Sequence, residues 1–219
     1  MSTITLWHCD QARSLRPLWA LEEMELEYQL EVLPFPPRFF QKEYLATNVL
    51  GTVPYLVDGE THMTESSGMC HYLAERYAPE FALSVDHKEY GSFLNWLYQS
   101  DATLTFPQAL VLRYTLMEPP ERQQPQVAED YKKWYLARLR WLDAHLAPVE
   151  GQKTRSYLCD GRFTVADIAV SYALYLGELY GYSESYSPQV IDYLQRMKQR
   201  SAFQKSVDLT KDMNLQTIL

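Results

Sequence analysis

Apolar and polar positions alternate over the first residues and then change period, which predicts a strand followed by a helix. Residues 3–7, TITLW, are β-branched and alternating, the pattern of a short strand. From Ser14 to Met24 the period lengthens, with Leu15, Leu18, Trp19 and Leu21 on one side. Pro17 is compatible with a helix only in its first turn, so the helix is expected to begin near Arg13 or Ser14. Residues 28–33 read as a second strand. Strand, helix and strand form a βαβ unit, which requires parallel pairing. Pro34, Pro36 and Pro37 then interrupt the chain, and residues 39–46 suit a short helix. Residues 53–57, the Asp58-Gly59 turn and residues 60–63 predict a hairpin. Residues 65–77 predict a helix, with Met69, Tyr72, Leu73 and Tyr77 in register and Pro79 beyond.

Past Leu83 the strand pattern disappears. Residues 86–117 and 124–147 predict long helices on either side of Pro119-Pro120, and Gly151 and Gly161 bracket a loop. Phe163-Thr164-Val-Ala-Asp167-Ile168 is a helix start. Thr164 is the N-cap, Asp167 stands at the third helical position, and Phe163 and Ile168 form a hydrophobic staple. That helix is expected to reach about Tyr180, and another to run from Pro188 to about Arg200. The expected layout is an α/β domain over 1–80, a linker near 79–85, and an all-helical domain over 86–219.

Composition narrows the function. The 219 residues are 47% hydrophobic and 22% charged, which excludes a disordered chain or a coiled-coil rod. No stretch approaches the ~18 apolar residues of a membrane span, and residues 1–17 lack the pattern of a signal peptide. A cytoplasmic protein without membrane partners is expected. Cys9, Cys70 and Cys159 are too few and too scattered for a disulfide framework or a zinc site, so no metal is expected. Net charge is −8, and residues 1–80 carry −7 of it, with five Lys/Arg against twelve Asp/Glu. Such a field repels nucleic acid, and an anionic ligand bound there must rely on local groups.

Four segments together resemble the cytosolic glutathione transferase family, in a bacterial, serine-using form. They are Arg13-Ser14-Leu-Arg-Pro-Leu-Trp-Ala-Leu-Glu-Glu23, Asn48-Val-Leu-Gly51-Thr-Val53-Pro54-Tyr-Leu-Val, Thr64-Glu65-Ser66-Ser-Gly-Met-Cys-His-Tyr-Leu-Ala74 and Phe163-Thr-Val-Ala-Asp-Ile-Ala169. The resemblance spans nearly the whole chain. It implies a thioredoxin-like N-terminal domain with a mixed four-stranded sheet (βαβ-α-ββα), an all-α C-terminal domain, and a homodimer. It also implies glutathione as co-substrate, a small hydrophobic electrophile as second substrate, and a role in detoxification.

The resemblance also assigns residues. Ser14 would donate to the glutathione thiolate, with helix capping as its ordinary alternative, and Arg13 would hold the sulfur's charge or a carboxylate. Val53, before an expected cis Pro54, would pair with the cysteinyl backbone. Ser66 and the helix N–H groups suit the γ-glutamyl carboxylate, and Glu65 suits its ammonium. Lys42 would reach the glycine carboxylate, and Asp101 the ammonium in the partner subunit. Trp7, His8, Phe106, Leu110, Tyr114, Tyr172 and Tyr175 are the candidate electrophile pocket. Trp7 stands where the tyrosine-using classes place their tyrosine, and Arg13 stands where the beta class places a cysteine. Two alternatives remain open at this level: a glutathione-dependent disulfide or peroxide reductase using Cys9 or bound glutathione, and a non-catalytic protein-interaction module.

Overall fold

The computed structural model describes residues 3–148, 155–211, 213 and 217. The expected loop start at Gly151 lies outside them. The chain forms two compact units, one from residues within 1–79 and 199–219, the other from residues 80–198.

The first unit opens as predicted. Strand β1 (Ile4–His8) pairs in parallel with β2 (Tyr28–Val32), and helix α1 (Leu15–Glu23) connects them. A four-residue helix α2 (Pro37–Phe40) and a 3-10 turn (Lys42–Ala46) follow, where one short helix was expected. Strands β3 (Tyr55–Asp58) and β4 (Thr61–Met63) form the hairpin, and the sheet order is β2-β1-β3-β4. β3 runs antiparallel to both β1 and β4, so the sheet is mixed. Gly59 takes φ +59° in the tight turn, a conformation that favours glycine. Helix α3 (Ser66–Tyr77) closes this part of the unit.

Helix α1 is buried all round from Leu15 to Leu21. The reason is a helix that the periodicity did not reveal. Helix α9 (Ser201–Lys211) lies against α1. Phe203 meets the Trp19 ring edge-on at 5.0 Å, and Arg200 grips the Glu23 carboxylate with Nη2 at 2.9 Å from Oε2. Thr210 donates to Asp10 across 2.8 Å, tying α9 to the loop after β1. The described residues within 199–219 thus group with the first unit, where the sequence placed them in the helical domain.

The second unit contains no strand among the described residues. Helices α4 (Tyr90–Gln99) and α5 (Phe106–Leu112) lie on one continuous path from 90 to 117, with π-helical turns at Ser100–Thr105 and Arg113–Met117. Pro107 lacks the N–H that an unbroken α-helix requires, and the widened turn before it absorbs the mismatch. Thr105 donates its hydroxyl to Ser100 O at 2.7 Å, five residues back. The helical path begins at Tyr90 rather than 86 because residues 84–90 form successive turns. Helices α6 (Pro125–Leu146), α7 (Val165–Leu179) and α8 (Pro188–Lys198) complete the unit. Thr164 and Asp167 make the predicted capping box, and Phe163 and Ile168 are both buried beside it. Among the described residues no helix is long and apolar enough to cross a membrane.

Candidate functional site

In the first unit, the loop ahead of β3 is built by Asn48. Its side-chain amide donates to Thr52 O at 2.9 Å, its carbonyl oxygen accepts from Leu50 N–H at 3.1 Å, and the Tyr44 hydroxyl donates to the same Thr52 oxygen at 3.0 Å. The Val53–Pro54 peptide that follows is cis, as the family resemblance implies. Pairing of β3 with β1 begins only at Tyr55, opposite Trp7. Among the described residues, the Val53 N–H and C=O make no hydrogen bond. A donor and an acceptor are thus left free on one residue at the head of a strand, the pattern that receives an extended peptide.

Glu65 occupies the N-cap of α3 with its side chain exposed, and Ser66, only 2% exposed, is the first helical residue. Behind Ser66 lies a residue to which the sequence analysis assigned no role. Arg16 of α1 is 0% exposed, and its Nη1 donates to Ser66 Oγ at 3.0 Å. A cation inside a seven-residue run that is otherwise apolar was the signal available in the sequence, because such a charge needs polar company. Lys42 is exposed at the start of its 3-10 turn, with no ion pair among the described residues.

The loop between β1 and α1 folds back on itself through Ser14. Ser14 is 0% exposed, and its hydroxyl donates to Cys9 O at 3.3 Å while accepting from Cys9 N–H at 3.2 Å. It makes no cap bond to α1. The hydroxyl thus ties the start of α1 to the residue that follows β1. Arg13, beside it, is half-buried and has no ion pair among the described residues.

Cys9 is fully buried, with its sulfur 3.4 Å from Pro34 O. Burial, reinforced by Asp10, pushes its thiol far above the ordinary range. It packs with Ala12, Leu33 and Tyr44 in an apolar cluster, with Trp7, Val53 and Tyr55 against it. A redox cysteine is exposed and acidic, and Cys9 is neither. Cys70 and Cys159 are also buried, and neither forms a disulfide among the described residues.

The proposed pocket residues separate on inspection. His8 is buried, and burial lowers it to about 4 against the opposing pull of Asp10, so it is neutral at physiological pH. Tyr172 is core. These two are interior side chains, not pocket walls. Trp7 is half-buried with its ring 5.2 Å from Tyr55, and Leu110, Tyr114 and Tyr175 are half-buried in the second unit. Phe106 is exposed, and Asp101 is half-buried in the π-helical turn of that unit. A cavity of about 110 Å³ in the second unit is lined by Leu136, Leu139, Asp143, Tyr186 and Val190, none of which had been assigned to a pocket.

A mixed four-stranded sheet with a cis-proline loop ahead of its third strand is a thioredoxin-like fold, followed here by an all-helical unit as in glutathione transferase structures. Residues 12–76 match the family model of the glutathione S-transferase N-terminal domain. The chain is 25% identical over 189 residues to glutathione S-transferase 3 of Schizosaccharomyces pombe, covering 80% of this chain and 74% of that one. It is 30% identical over 132 residues to glutathione S-transferase F10 of Arabidopsis thaliana, 59% of each chain. The crystal structure of the glutathione transferase URE2P8 from Phanerochaete chrysosporium, with oxidized glutathione, shares the fold at TM-score 0.79 and 19% identity, over 97% of both chains. The N-terminal region is thus similar to the glutathione S-transferase N-terminal domain, and the chain as a whole shares the fold of glutathione transferase structures.

Proposed function

We propose that this chain binds glutathione in its first unit and activates the thiol for attack on a small hydrophobic electrophile. The observation that carries the reading is the free N–H and C=O of Val53 beside its cis proline, just ahead of β3. The cysteinyl part of glutathione pairs there. Its γ-glutamyl carboxylate meets the Ser66 hydroxyl and the first N–H groups of α3, where the helix dipole favours an anion. Glu65 faces the ammonium, joined by Asp101 of a partner subunit in a homodimer, and Lys42 meets the glycine carboxylate.

The thiol then lies near the loop from His8 to Ser14. Bringing it from about 8.5 down by two units requires about 2.7 kcal/mol of preference for the thiolate. Arg13 supplies that preference as a cation not already engaged by a carboxylate, and Ser14 holds the loop in place. The thiol proton passes to solvent. The sulfur lone pair forms a bond to the electrophilic carbon, and the displaced pair leaves with a halide or takes up a proton on the adduct. The buried, non-acidic Cys9 speaks against a reductase that depends on it. The intact Val53 and Ser66 speak against a module that has lost its ligand. The proposed setting is the cytoplasm, in detoxification.

Calorimetric titration with glutathione tests the binding half of this reading. The wild type is expected to bind, and Ser66→Ala to bind about 10–100-fold more weakly, the loss expected for one hydrogen bond to a charged group. Absence of binding by the wild type overturns the reading.

A further inference from the structure

Ser66 is held by a buried cation, and this bears on which way its hydroxyl points. A serine hydroxyl has one proton to give and two lone pairs to receive with. Arg16 Nη1 fills a lone pair from 3.0 Å away, and a guanidinium is a donor only. The Ser66 proton is thereby turned away from Arg16. Arg16 is also wholly buried, so solvent screens its charge little. Residues 1–80 carry a net charge of −7, which opposes an incoming anion, and Arg16 is a cation fixed directly behind the hydroxyl meant to receive one.

We propose that Arg16 is a positioning residue for glutathione. It orients and polarises the Ser66 hydroxyl so that its proton meets the γ-glutamyl carboxylate, and it offsets the acidic surroundings at that one point. The inference rests on the glutathione site proposed above. Arg16 touches Ser66 and not the reacting sulfur, so its effect belongs to glutathione binding and not to the transfer step. A donor that polarises a hydroxyl strengthens the next hydrogen bond in the chain, which couples the two residues.

The test is a titration of four proteins, wild type, Arg16→Gln, Ser66→Ala and the double variant. The probes are glutathione and 4-aminobutanoyl-cysteinylglycine, which is glutathione without the γ-glutamyl carboxylate. Arg16→Gln is expected to weaken glutathione about 10–30-fold and the carboxylate-free analogue by less than about threefold. The double variant is expected to bind glutathione within about threefold of Ser66→Ala alone, because Arg16 acts through that hydroxyl. A general structural role would weaken both probes alike, and that result overturns the inference. So does glutathione affinity within about threefold of wild type in Arg16→Gln, or a double variant in which the two losses multiply. Should Arg16→Gln fail to fold, Arg16→Lys is judged by the same three comparisons. A wild type that does not bind glutathione removes the site itself, and Arg16's role with it, which separates that failure from the others.

Discussion

Replacing Asp167 by Ala is expected to lower the melting temperature by roughly 10–15 °C, or to prevent the folded chain from accumulating. The Asp167 carboxylate is fully buried and satisfies four donors: Leu158 N–H at 3.0 Å, Thr164 N–H at 2.9 Å, the Thr164 hydroxyl at 3.2 Å and the Tyr193 hydroxyl at 2.9 Å. It therefore joins the start of α7 to α8 and to the segment before α7. Alanine leaves all four donors buried without an acceptor, a cost of about 4–5 kcal/mol. For a chain of this length each kcal/mol is worth roughly 2–4 °C. Asp167→Asn keeps one acceptor oxygen and is expected to lose less.

The same carboxyl has a pH signature. Burial outweighs its hydrogen bonds and pushes it up to about 6, above its value of about 3.9 in an unfolded chain. The folded state then holds the proton more tightly, so this group's contribution to stability is complete below about pH 4 and is lost as pH rises to about 6. Scanning calorimetry on wild type and Asp167→Asn across that range is expected to show the difference between them changing there. A difference constant with pH contradicts the assignment.

Gly177→Ala is the second large effect, and its sign distinguishes packing from propensity. In an exposed helix the change is stabilising by about 1 kcal/mol. Here a methyl group would collide with the Tyr186 hydroxyl and come within 2.7 Å of the Tyr135 hydroxyl. Those hydroxyls bond each other at 2.6 Å and bond the α7 carbonyls of Ala173 and Leu174. Accommodating the methyl breaks part of that set, so we expect a loss of about 3–4 kcal/mol. Urea denaturation gives the number. Adding Tyr186→Phe, which removes the nearest atom, is expected to recover part of the loss. A more stable Gly177→Ala would mean that the hydroxyls do not lie against α7.

Local signals carried much of the fold. The two-residue period and the β-branched residues located β1, and the Asp58-Gly59 turn located the hairpin. Thr164 and Asp167 located α7 to the residue, because capping is written in adjacent side chains. Helix α9 escaped for a physical reason. Its buried face is Ala202, Phe203, Ser206 and Thr210, so small polar residues stand where an apolar stripe would announce it. Its attachment to α1 depends on pairs nearly 200 residues apart, such as Glu23 with Arg200 and Asp10 with Thr210.

The site divided in the same way. The cis peptide at Val53-Pro54 and the helix start at Glu65-Ser66 were anticipated because both are local backbone features carried by short motifs. Ser14 was not, since where its hydroxyl points depends on how the loop folds back to Cys9. Arg16 was hidden by its apolar neighbours, and only the packing of α1 beside α3 brings it to Ser66.

The proposed thiolate beside Arg13 has a spectroscopic signature of its own. The measurement that reaches it most directly is the ultraviolet absorbance of bound glutathione thiolate against pH, in wild type and in Arg13→Leu, with Ser14→Ala alongside. The wild type is expected to show thiolate about two pH units below free glutathione, and Arg13→Leu is expected still to bind glutathione but to return the titration to near 8.5. Ser14→Ala is expected to shift it less. A wild-type protein whose bound thiol titrates as it does in water contradicts the claim.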